Sequence, residues 1–184
     1  HDEPNMMRHV LSIAQKVNQK KWECFNDSRC QVLIVNCSGA STSVVSPDFI
    51  RKWVLPDLKW LSDNIAENKF IGFHMTGKMR DALPILLEAN PDFVLRFESD
   101  RYGGDIPLKA AKEQYGDQVC LMGGYDSQVY LSELDEIRSE TIRCIDQAAA
   151  GGGYILDNND MVPINAEMEK VKAMVDMAKE YGRY

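Results

Sequence analysis

The stretch "QVLIVNCSGASTSVVSPDFIRKWVLPDLKWL", Gln31 to Leu61, decides the fold. Its first part, "QVLIVNC" (31–37), is a short, nearly continuous apolar run rich in β-branched residues, the pattern of a strand buried on both faces of a parallel sheet. The polar loop "SGASTSVV" (38–45) ends it. Ser46-Pro47-Asp48 then combines an N-cap, a proline at the first helical position and an acid in the first turn, which together start a helix. Ile50, Val54, Leu58, Leu61 and Ile65 carry the apolar face of that helix onward, and Pro56 inside the pattern predicts a kink or a split.

The same alternation repeats along the chain. Residues Met7, Val10, Leu11, Ala14 and Val17 recur at helical spacing, so an amphipathic helix precedes the first strand. "FIGFH" (70–74), "DFVLRFES" (92–99), "QVCLMGG" (118–124) and "YILD" (154–157) are further strands. "KMRDALPILLEAN" (78–90) and "IPLKAAKEQYG" (106–116) read as helices, the latter with Gly116 as its C-terminal cap. Ser132 and Asp135 predict a capping box for a helix whose inner face is Leu134, Ile137, Thr141, Ile145 and Ala148. Met168, Val171, Val175 and Ala178 give the inner face of a last helix. Strand alternating with helix, without a hairpin signal, means parallel βα units and an α/β fold. Two architectures fit: a doubly wound open sheet, or part of a (β/α)8 barrel, which normally needs about 250 residues. No G-x-G-x-x-G follows the first strand and no P-loop occurs.

Composition narrows the function classes. The 184 residues are 45% apolar, enough for one sizeable core, and the formal net charge is −7. Phosphate neutralisation needs a basic surface, so nucleic acid is not an expected partner. No apolar stretch reaches the roughly 20 residues that span a bilayer, and the first ten residues lack the pattern of a signal peptide. The expectation is a cytoplasmic protein away from membranes. The five cysteines (Cys24, Cys30, Cys37, Cys120, Cys144) contain no C-x-x-C pair and read as reduced thiols.

Four segments carry a family resemblance: "VSPDFIRKWVLPDLKWL", "GFHMTGKMRDALPILLE", "CLMGGYD" and "GGGYILDNNDMVPINAEMEKVKAMVDMAKEYG". From about Val32 onward the chain resembles the C-terminal part of the uroporphyrinogen decarboxylase superfamily. That group includes the heme-pathway decarboxylase and zinc-dependent methyltransferases that move a methyl group between a corrinoid protein and a thiol. The resemblance implies a TIM-type (β/α)8 barrel, of which this chain would hold about the last five βα units. Residues 1–184 are then expected to form a single partial-barrel domain lacking N-terminal units. An unpaired parallel edge is adhesive, so a homo-oligomer or association with the missing half is expected.

Function in such a barrel sits at the C-terminal ends of the strands. Here these ends carry Asn36 and Cys37, His74 and Thr76, Glu98 with Asp100 and Arg101, Gly123 to Asp126, and Asp157 to Asp160. The methyltransferase zinc site resembles His-x-Cys at "HMT", plus a cysteine after the last strand. His74 matches the first ligand, Thr76 replaces the cysteine, and "LDNNDMVP" has none. The resemblance therefore implies a harder metal set of His74, Glu98 and Asp160, with Cys37 as a further donor, taking zinc or another divalent ion. The structural alternative for His74 is a hydrogen-bonded histidine at the barrel rim. Glu98, Asp160 and Cys37 are the catalytic candidates, and Asn36, Arg101, Tyr125 and Asp126 the substrate-binding ones. Arg80, Arg96 and Arg101 are the side chains that could serve anions, but Arg96 lies mid-strand and Arg80 early in a helix, so ordinary ion pairs are expected of both. Three functions remain open: methyl transfer with a corrinoid-carrying partner protein and a small-molecule acceptor, tetrapyrrole decarboxylation, and a non-catalytic partner subunit.

Overall fold

The computed structural model describes residues 3–97 and 103–182. Helix α1 (Pro4–Asp27) precedes strand β1 (Val32–Asn36), and the order continues α2 (Pro47–Phe49), α3 (Leu55–Asp63), β2 (Phe70–His74), α4 (Leu83–Leu87), β3 (Phe93–Phe97), α5 (Leu108–Tyr115), β4 (Cys120–Gly123), α6 (Leu134–Ala148), β5 (Tyr154–Ile155) and α7 (Met168–Tyr181). The five strands form one sheet in the order β1-β2-β3-β4-β5, every pair parallel. A doubly wound sheet reverses its strand order at a switch point; this one does not. With right-handed crossovers throughout, a sequential order places every connecting helix on the same face, which is the barrel arrangement.

Side chains divide accordingly. Leu33, Val35, Ile71, Phe73, Val94 and Leu121 join the core between sheet and helices. The alternate residues Val32, Ile34, Phe70 and Ile155 face the other side and are exposed, each close to half of its full surface. Those positions would line the interior of a complete barrel. β1 is accordingly half-exposed along its length, not buried on both faces as its sequence suggests.

The expected helix start at Ser46 forms, its hydroxyl accepting the Phe49 N–H at 3.2 Å. Pro56 splits the helix as anticipated, through a π-helical turn at Ile50–Val54 that hands over to α3. The helix expected over 78–90 shrinks to α4, because Pro84 fixes its start and the preceding turn is held instead by Asp105, which accepts the Met79 and Arg80 N–H groups at 2.7 and 3.0 Å. The capping box at Ser132 does not form: Ser132 spends its N–H on Val129, closing a 3-10 turn, and α6 begins after Glu133. Gly116 does cap α5, in right-handed conformation (φ −62°). It is glycine for space, since a Cβ would come within 2.5 Å of the Lys112 carbonyl oxygen.

Two expected helix faces differ from prediction. On α7, Met168 and Val175 are exposed, and Val171 with Met174 packs against α6. On α1, Met6, Met7, Val10, Ile13 and Val17 are exposed, while Trp22 anchors the far end by donating to the Asn64 carbonyl at 3.0 Å. Lys69, buried below this helix end, donates to the Ser28 and Cys30 carbonyls at 2.8 and 2.6 Å and lies over the Phe25 ring. No helix among the described residues is long and apolar enough to cross a membrane.

Candidate functional site at the C-terminal ends of the strands

Among the described residues, loops at this end of the sheet are tied to one another. The hydroxyl-rich loop after β1 reaches the loop after β2: Ser41 and Thr42 hydroxyls both donate to the Lys78 carbonyl at 3.1 Å, and Ser43 accepts the Lys78 N–H. Gly77 (φ +74°) allows this close approach, since a Cβ there would lie 2.7 Å from Ser41 Oγ. After β4, Glu140 of α6 accepts the Asp126 N–H at 3.0 Å, Arg143 donates to the Gly124 carbonyl at 2.8 Å, and Tyr154 donates to the Gly123 carbonyl at 2.9 Å. Buried Asn159 completes the chain by accepting the Ser127 N–H at 3.0 Å. The polar groups in these loops are thus largely consumed in holding the rim.

His74 closes β2 between Asn36 and Leu95, its register partners. It is half-buried, and its Nε2 is inaccessible to water and has no hydrogen-bond partner among the described residues. Burial lowers its pKa, the Arg96 charge lowers it further, and Asp160 acts in the opposite direction. A neutral imidazole at neutral pH follows.

Arg96 reaches this mouth through a backbone irregularity. Val94 and Phe97 both belong to the helix-side core, yet three residues apart they would face opposite sides of a regular strand. A bulge reconciles them: pairing with β4 shifts register between Leu95 and Phe97, and Arg96 adopts φ +63°. A regular strand would have driven the guanidinium into the helix-side core; the bulge re-aims it. It now lies 3.4 Å from Asp160, which follows β5 and is largely exposed. Gly123 (φ +124°) makes room opposite, where a Cβ would fall 2.8 Å from Phe97 N and 3.2 Å from Arg96 Cα.

The sequence candidates separate by position. His74, Asn36 and Asp160 are at the mouth, Asn36 using its side-chain oxygen to accept the Ser38 N–H at 2.9 Å. Cys37 is adjacent in the chain, donating its N–H to the His74 carbonyl at 2.8 Å, but its side chain joins the core and burial pushes its thiol up to about 12. It is a protonated core thiol, not a thiolate. Tyr125 is fully buried against Tyr130, with ring centroids 5.4 Å apart. Asp126 is buried too, accepting the Gln128 N–H at 3.0 Å to cap a 3-10 turn. Glu98 and Arg101 lie outside the described residues. Arg80 donates to the Asp105 carbonyl.

Arg96, expected in the middle of a regular strand, stands at the mouth instead. Its ion pair was expected, its position at the mouth was not. The one available signal is a guanidinium in an otherwise apolar strand, at a position where alternation points into the core.

Of the three side chains expected to hold zinc, His74 and Asp160 are described and Glu98 lies outside the described residues. Among the described residues no three His, Cys, Asp or Glu side chains come together. Asp160, whose charge acts on His74, is paired with Arg96, and the Arg96 charge opposes a cation at the imidazole.

A half-barrel with a polar mouth at the strand ends defines a TIM-barrel type of protein whose chemistry is expected at that mouth. The chain belongs to the uroporphyrinogen decarboxylase (URO-D) family, whose model matches residues 1–181. It is similar to a uroporphyrinogen decarboxylase from Methylibium petroleiphilum, 29% identical over 79 residues, which cover 41% of this chain and 21% of that one. Among solved structures it is similar to a methyltransferase from Methanosarcina mazei, with TM-score 0.76 and 19% identity over 95% of this chain. The chain spans about half of that methyltransferase, 49% of its length.

Proposed function

We propose that the chain forms the substrate-holding mouth of a methyltransferase that exchanges a methyl group between a corrinoid protein and a small acceptor. One observation carries this reading: His74, a neutral imidazole at a barrel strand end, has a buried Nε2 with no partner among the described residues. Buried polar atoms are normally paired, and an exception at a strand end is a group left for a ligand. Once a bound acceptor reaches that atom, the neutral imidazole would be able to take the proton the acceptor loses on methylation, the methyl–cobalt electron pair staying on the corrinoid of the partner protein. Family membership and the methyltransferase likeness support the reading.

Tetrapyrrole decarboxylation is the second reading, favoured by the similarity to the Methylibium decarboxylase. The two separate in one pair of assays. With methylcobalamin and a panel of small thiols and amines, methyl transfer is expected to bleach the methyl–cobalt absorbance at a rate proportional to protein. Stepwise loss of carboxyl groups from uroporphyrinogen, with methylcobalamin untouched, would replace the first reading by the second.

A further inference from the structure

We infer that Arg96 holds the carboxylate of a small substrate beside His74, so that this mouth is an anion site and not a divalent-metal site. The inference deepens the proposed function and rests on its placing substrate at this mouth.

Three observations converge on it. Arg96 is a non-glycine residue in left-handed conformation (φ +63°) within a strand. Such a conformation costs free energy and persists where the surroundings over-determine it, as at ligand sites. The surroundings here do so, because Val94 and Phe97 both lock into the helix-side core and leave Arg96 as the extra residue.

The guanidinium is also under-used. It carries five N–H donors in a planar fork that matches a carboxylate in bidentate fashion. Among the described residues its partner is Asp160, through one contact of 3.4 Å, too long for a strong charged hydrogen bond. Asp160 is itself about 70% exposed. An exposed carboxylate at that distance is a weak tether that a substrate carboxylate can displace or share.

Finally, His74, at the same mouth, has a buried Nε2 without a hydrogen-bond partner among the described residues. A fixed positive charge there repels a divalent cation and attracts an anion, and the chemistry needs only one of the two. The substrate class that follows is a small carboxylic acid carrying the methyl-accepting group, its carboxylate on Arg96 and its acceptor atom toward His74.

The test is a titration of the isotope-labelled chain with propionate, its neutral isostere propionamide, and zinc. Propionate is expected to shift the His74 and Arg96 signals saturably, propionamide not to, and zinc not to bind stoichiometrically in equilibrium dialysis. Arg96→Gly suits the left-handed backbone and is expected to keep or raise the melting temperature while weakening propionate about tenfold or more. Arg96→Asn, also tolerant of this conformation, serves if the glycine variant misfolds. A purely structural arginine would instead give a lower melting temperature and unchanged propionate binding in both variants, which overturns the inference, as does one tightly bound zinc per chain lost on His74→Gln. Propionate binding without methyl transfer would remove the proposed reaction and leave the anion site standing; methyl transfer that propionate neither slows nor shifts would do the reverse.

Discussion

At the scale of single residues, backbone and burial decide what the side chains can do. Cys37 stands where a strand-end nucleophile was expected, but it sits in the core with its thiol raised to about 12, and Cys144 is raised to about 12 as well. Cys24 and Cys30 are exposed. A disulfide reagent at pH 8 should therefore modify Cys24 and Cys30 quickly and reach Cys37 and Cys144 only after unfolding, as mass spectrometry of the labelled peptides would show. The linkage has a definite sign. Both buried thiols keep their protons in the folded state to higher pH than in the unfolded chain, where they ionise near 8.5. Their contribution to stability is complete below about pH 8 and declines as the pH rises toward 12, so the urea midpoint should fall between pH 8 and 10. Gly123 is constrained more sharply, by its φ of +124° and by the Phe97 amide 2.8 Å from any Cβ. Gly123→Ala is expected to cost about 2–3 kcal/mol in chemical denaturation, because both the conformation and the contact with the Arg96 bulge are lost.

At the scale of elements, the strands and their order along the chain are legible because each is a short apolar run punctuated by glycine, proline or a polar loop. Ser46-Pro47-Asp48 is legible for the same local reason, and Ser46→Ala should cost about 1 kcal/mol. The rim is not legible, because its ties are long-range: Asn159 with Ser127, Glu140 with Asp126, Arg143 with Gly124. Nothing local in "LDNNDMVP" distinguishes Asn159, buried as a clamp, from Asp160, exposed beside Arg96. The bulge in β3 is hidden likewise, since it follows from two residues, Val94 and Phe97, competing for one core. Arg143 bonds Glu140, Gln147 and the Gly124 carbonyl together, half-buried. Arg143→Ala is accordingly expected to lower stability by about 1–3 kcal/mol and to speed amide exchange at Gly124 to Asp126 ahead of the rest of the sheet.

At the scale of the whole molecule, the sheet is covered by helices on one face and open on the other, where Val32, Ile34, Phe70 and Ile155 are exposed, and the apolar side of α1 is uncovered as well. Apolar surface and unpaired strand edges of this extent favour association. The chain studied alone is expected to run above its monomer mass in gel filtration coupled to light scattering, and to return toward monomer when a charge is placed on the open face by Ile34→Lys. Beyond its assembly, the reading of this molecule turns on the mouth where β2, β3 and the segment after β5 meet. A crystal structure of the chain soaked in propionate examines that mouth without requiring turnover. The arrangement of Arg96 and His74 predicts density for a carboxylate on the guanidinium, with its alkyl end toward the imidazole. Propionate bound elsewhere with this mouth empty, or a metal ion ligated by His74, would contradict it.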